Sequence, residues 1–130
     1  MKNTIHKGWF VLKILLALFI TYAGVQHFLN PDFFVKVIPP FLMDFAIPIV
    51  YISGVIEIVI GLLLFTNKYQ YLGALSFFLL MLAFLPLHIW DVFAENPFTG
   101  SRNAAYIRLA MQFVLIALPW KLKNLYSEVV

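Results

Sequence analysis

The chain has no cysteine, so it holds no disulfide, thiolate nucleophile, cysteine zinc site or cysteine-ligated iron–sulfur cluster. Charge is scarce too, at 12% of 130 residues against about 25% in a soluble domain. No run of basic residues suits a nucleic-acid backbone, which excludes nucleic acid as a partner. Any redox chemistry needs a bound cofactor or another protein.

What is present is apolar. Hydrophobic residues make up 63% of the chain and the mean hydropathy is +0.93, so the chain reads as an integral membrane protein. Four runs approach the roughly 20 residues a helix needs to cross a bilayer core. They cover about 9–29, 45–65, 71–90 and 104–120. The first follows a basic start, as a secretory signal would, but it is too long, lacks a small-x-small cleavage site and precedes three more spans. Lys13 sits one turn inside this span and is expected to snorkel to the interface.

Asn30-Pro31-Asp32 reads as a helix start with an Asn cap. Phe33, Phe34, Val35, Val37 and Ile38 are too few to span and predict a short interfacial helix that Pro39-Pro40 ends. Pro86 is expected to kink the third span. Asp91 to Asn103 form the longest loop. The expected fold is therefore all-α, a single four-helix transmembrane bundle with one interfacial helix between spans one and two.

Lysine and arginine placement orients the bundle. The side that carries both termini holds Lys2, Lys7, Lys68, Lys121 and Lys123, and the other holds Lys36, Arg102 and Arg108. The termini are therefore expected to be cytoplasmic in a bacterial inner membrane. Trp9, Trp90, Trp120, Tyr69, Tyr71 and Tyr106 fall near span ends, as an aromatic belt requires.

One acidic residue is out of place. Glu57 has apolar residues for many positions on both sides, so it cannot reach water by flexing. An ionisable group at that depth must be protonated, paired or hydrogen-bonded, and it marks a functional site by default. At about 1.5 Å of rise per residue, the other polar groups fall in the same, outer half. Gln26 and His27 end span one, and Ser53 lies a turn from Glu57. His88 and Asp91 end span three, and Arg108 and Gln112 share a face of span four. The inner half has almost none, which suggests a polar cavity open to the outside and sealed toward the cytoplasm. Arg108 is expected to meet Glu57, directly or through Gln112, with Asp91 as its alternative partner. Each residue also has a plainer role. Gln26, Ser53 and Gln112 can be interhelical glue, His27, His88 and Asp91 can satisfy loop backbone, and Arg108 can snorkel. Two histidines and a carboxylate without i, i+4 spacing make no metal site. Ala23, Gly24, Gly54, Gly61, Gly73 and Ala74 allow close helix approach.

Ala23-Gly24-Val25-Gln26-His27-Phe28, Pro31 to Pro40, Ser53-Gly54-Val55-Ile56-Glu57-Ile58-Val59-Ile60-Gly61, Pro86 and Arg108-Leu109 with Gln112 follow in an order that resembles the DoxX-like family of small four-span membrane proteins. The resemblance covers nearly the whole chain. Pro86-Leu87-His88 departs from the Pro-x-Asn such proteins often carry, so the family's pattern does not extend to His88. The resemblance implies a four-helix bundle, with the family's glutamate at Glu57 and its first-span histidine at His27. That family takes its name from a subunit of an archaeal thiosulfate:quinone oxidoreductase, and a distant animal relative is a receptor assembly chaperone. The function expected is an accessory or anchor subunit without its own catalysis. It would bind a quinone or a lipid through Glu57, Arg108, His27, Gln26, Ser53, Gln112 and His88. The alternative is an assembly factor that grips a client helix. Expected partners are the bilayer, a redox protein or client membrane protein, and a second copy of the chain.

Overall fold

A computed structural model describes residues 2–98 and 100–128. The Lys2 side chain, which the charge argument counts, lies outside the described residues. The described residues form helices α1 (Lys2–Leu29), α2 (Pro31–Val35), α3 (Ala46–Phe65), α4 (Gln70–Phe93) and α5 (Arg102–Ser127). Two 3-10 segments, Pro40–Phe45 and Asn67–Tyr69, precede α3 and α4. The four long helices are each long and apolar enough to cross a membrane, so this is a multi-pass membrane bundle.

Proline placement explains the breaks. Pro31 disfavours helical backbone at Asn30, which leaves the helical region at φ −140° and stops α1. Asn30 does not cap α2 with its side chain, contrary to the expectation, because Pro31 alone presets the first turn. The interfacial helix is also shorter than expected: it ends at Val35, and Val37 and Ile38 close onto Phe34 and Val35 in single turns. Pro48 lies in the first turn of α3, where an amide has no intrahelical partner anyway. Pro86 and Pro119 sit inside α4 and α5, and both helices continue past them. Span four thus extends beyond residue 120 to Ser127. Asp91, placed in a loop from sequence, lies in the last turns of α4. In lipid the backbone has no water to bond, so a helix is retained even across a residue that removes one bond. Ser101 caps α5 by accepting from the Ala104 amide at 3.4 Å.

The helices pack as two close pairs, α1 with α3 and α4 with α5, joined where α3 meets α4. The α1–α3 contact is backbone to backbone. A Cβ added at Gly24 would lie 2.7 Å from the Gly54 carbonyl oxygen, and one at Gly54 would lie 2.8 Å from the His27 Cβ. A Cβ at Gly61 would strike the Thr21 hydroxyl, which donates to the Ala17 carbonyl at 2.7 Å. The main core fills one half of the bundle, with Leu16, Ala17, Ile20, Ile60, Leu64, Ala74, Phe77, Met81 and Leu122 from all four long helices. A smaller cluster of Ile38, Ala46 and Val50 sits under α2.

Lys13 does not snorkel. It is 1% exposed, and its ammonium donates to Asn67 Oδ1 and Gln70 Oε1, each at 3.1 Å. The amides of the turn between α3 and α4 reach it, and hydrogen-bonding in place removes the need to reach water. The inner half is therefore not devoid of polar groups.

Gly24→Ala forces α1 and α3 apart against backbone and is expected to cost about 1–3 kcal/mol. Gly8→Ala, where nothing lies within 4 Å of the added Cβ, is expected to be neutral or slightly stabilising. Thermal unfolding of both variants in one detergent checks the contrast.

Candidate functional site

In the other half of the bundle the two helix pairs enclose a cavity of about 290 Å³. Its walls are mostly apolar, with Ile20, Phe34, Val50, Phe84 and Leu115 among them. Polar groups reach it from all four spans: His27 from α1, Ser53 and Glu57 from α3, His88 from α4, and Arg108 and Gln112 from α5. These are the residues singled out from sequence, with one exception. Gln26 does not line the cavity. It is one residue from His27, and a 100° step around the helix turns it onto another face.

His27 and Glu57 meet because α1 and α3 touch at Gly24 and Gly54. His27 Nδ1 lies 2.7 Å from the Ala23 carbonyl oxygen. A carbonyl can only accept, so Nδ1 carries the proton, and Nε2 is left as the acceptor of the neutral ring. The imidazole stacks on Phe34 with centroids 3.7 Å apart, which fixes the orientation of the ring. Glu57 Oε2 is 3.3 Å from the same Nδ1, but that proton already points at Ala23. Glu57 is 4% exposed, and its Oε2 has no hydrogen-bond partner among the described residues. A buried carboxyl oxygen without a partner is costly, and the cavity is the space from which one can come.

The opposite wall is organised by Asp91. Its Oδ1 accepts the Phe98 amide at 2.6 Å, and its Oδ2 accepts Arg108 Nη2. The Arg108 guanidinium also lies 4.9 Å from the Phe98 ring centroid. Arg108 thus takes the alternative partner. No ion pair joins it to Glu57 among the described residues; its ion pair is with Asp91, in the last turns of α4, which also holds the loop. Gln112 does not relay between them either: its Nε2 donates to the Met81 carbonyl at 2.7 Å. Arg102 donates to the Val92 and Ala94 carbonyls, which satisfies the exposed end of α4.

The cavity lies in the expected half but is not simply open at its aqueous end. Phe33 and Phe34 from α2 and Phe98 from the loop between α4 and α5 line it there, with Phe33 and Phe98 edge to face at 4.8 Å. From sequence Phe33 and Phe34 belong to the interfacial helix and Phe98 has no assigned role. Pro97-Phe98 carries no signal of a roof, because its position depends on the Asp91 bond. Among the described residues no group of three His, Asp or Glu side chains gathers to hold a metal.

The fold and cavity define a class, a four-helix membrane bundle with a buried, partly polar chamber in one half. Within that class, a family model described as a domain of unknown function, DUF8561, matches residues 16–123, and the chain belongs to this family. No curated protein and no solved structure matches it.

Asp91→Ala removes the carboxylate that pairs with the partly buried Arg108 and is expected to destabilise by about 3–5 kcal/mol. The double variant Asp91→Ala/Arg108→Ala is expected to lose less than Asp91→Ala alone, since the cation is removed together with its carboxylate. Equilibrium unfolding of the set in mild detergent measures both.

Proposed function

We propose that the protein binds a small hydrophobic molecule with a polar head, a quinone or a lipid, in this cavity, and serves as a non-catalytic accessory or anchor subunit of a redox system. The observation that carries the reading is Glu57 Oε2: buried, without a hydrogen-bond partner among the described residues although His27 Nδ1 is 3.3 Å away, and on a residue that lines an apolar chamber. A group of that kind is retained where something else completes its hydrogen bonding. Glu57 is the central acceptor or proton carrier, and His27 Nε2 accepts beside it. Arg108 and His88 line the chamber from the facing helices, where a carbonyl or phosphate oxygen finds donors. The similarity to DoxX-like proteins supports the redox setting, and the lysine distribution supports an inner-membrane location with cytoplasmic termini.

A second reading, an assembly factor that holds a client helix, is favoured by the exposure of Phe19 and Met111 at the cavity's side. Size weighs against it. A helix is about 10–12 Å across with its side chains, and a chamber of about 290 Å³ admits a ring or headgroup but not a helix.

Mass spectrometry of the organic extract of the purified protein tests the reading beside Glu57→Gln. One species retained at near-stoichiometric level by the wild type, and reduced about tenfold or more in the variant, is expected. Equal retention by both removes the Glu57 charge from the mechanism. No retained species, with proteins co-purifying instead, overturns the binding reading in favour of helix docking.

A further inference from the structure

Resting on the binding reading, we infer that the cavity is loaded sideways from the bilayer, through the seam between α1 and α5. Its ligand is a single-tailed amphiphile that keeps its head inside and leaves its chain in that seam. Three observations lead here. The first is size. About 290 Å³ is at the bottom of the roughly 300–1,000 Å³ typical of ligand pockets, enough for a head ring but not for a long chain as well. A membrane-soluble ligand must therefore have a way out for its tail.

The second is how the ring of helices closes. α1 packs closely on α3, α3 on α4 and α4 on α5, but α1 and α5 make no comparable backbone approach. They meet in the core half, where Leu16 and Leu122 share one cluster and the Lys13 ammonium lies 5.8 Å from the Tyr126 ring. Toward the cavity that seam is not closed. Phe19 of α1 and Met111 of α5 line the cavity and are nonetheless 47% and 54% exposed. Phe33 of α2 also lines the cavity and is 45% exposed, but its ring is packed edge to face on Phe34 and Phe98, so the open edge is the one between Phe19 and Met111. On the α3 and α4 walls, Val50, Glu57 and Met81 line the chamber and are buried.

The third is the roof. The aqueous end is covered by Phe33, Phe34 and Phe98, and Phe98 is held by the Asp91 carboxylate. The side path needs no such bond broken. A flexible methionine and a phenylalanine at its edge can yield by rotamer changes alone.

The test uses the full chain in lipid nanodiscs and three probes: a tail-less dimethoxy-methyl-benzoquinone, its decyl-tailed analogue and a single-chain phospholipid. Probe retained after gel filtration is quantified by mass spectrometry. In the variant F19W/M111W, retention of the tailed probe is expected to fall about tenfold, while the tail-less head stays within about twofold of wild type. Undiminished binding of the tailed probe would place the tail elsewhere and overturn the seam. F19A/M111A guards against a damaged head site. It widens the mouth, so the tailed probe is expected to exchange severalfold faster, and unchanged exchange also overturns the seam. Preference for the tailed quinone or for the phospholipid identifies the head chemistry, with the seam judged on whichever binds. Binding of none of the three by wild type sinks the binding reading itself, separately from any variant.

Discussion

The backbone approach of α1 and α3 at Gly24 and Gly54 is the constraint on which the site depends. Without a Cβ at either position the two helices come within van der Waals contact of each other's main chain. In lipid, where apolar side chains gain nothing by leaving the solvent, such packing is a main source of helix association. The same approach carries the chemistry. The Cβ that Gly54 lacks would meet His27, and the one that Gly24 lacks would lie 3.0 Å from the Glu57 Cβ. The glycines therefore bring together the histidine and the glutamate, and a wider crossing would separate them.

Each end of the bundle resolves its buried polar groups differently. In one half the Lys13 ammonium is held by two neutral amide oxygens, which accept two of its bonds without supplying a counter-charge. In the other half Asp91 binds Arg108 and the Phe98 amide together, which ties α4, α5 and the loop between them into one unit. Charge-assisted bonds of this kind are stronger than neutral ones and offset part of the cost of burying the pair. Glu57 is the one buried carboxyl among the described residues left with an unbonded oxygen, and it faces the chamber. The site is thus defined less by what is paired than by the group that the surrounding order leaves incomplete.

Much of this was legible in the residues. Runs of about 20 apolar residues announce the spans because the length of a helix in lipid follows from bilayer thickness. The clustering of His27, Ser53, Glu57, His88, Arg108 and Gln112 in one half follows from their positions along antiparallel helices of known rise. Partner choice was not legible. Arg108 had two carboxylates at plausible depths, and the choice of Asp91 depends on how α4 is rotated and where its last turn ends. Lys13 looked like a snorkelling residue because nothing in its own helix satisfies it. Its partners, Asn67 and Gln70, are more than fifty residues away in the chain.

Sequence alone determined the class, four helices across a membrane with polar groups gathered at one depth, because hydrophobic length and helical rise are properties of single segments. The tertiary structure decided which polar groups meet, that Gln26 turns away, and that aromatic rings line the end of the chamber beside α2. Those outcomes depend on the rotation of each helix about its axis and on which neighbours close the ring. They are set by contacts between segments distant in the chain, and no single segment contains them.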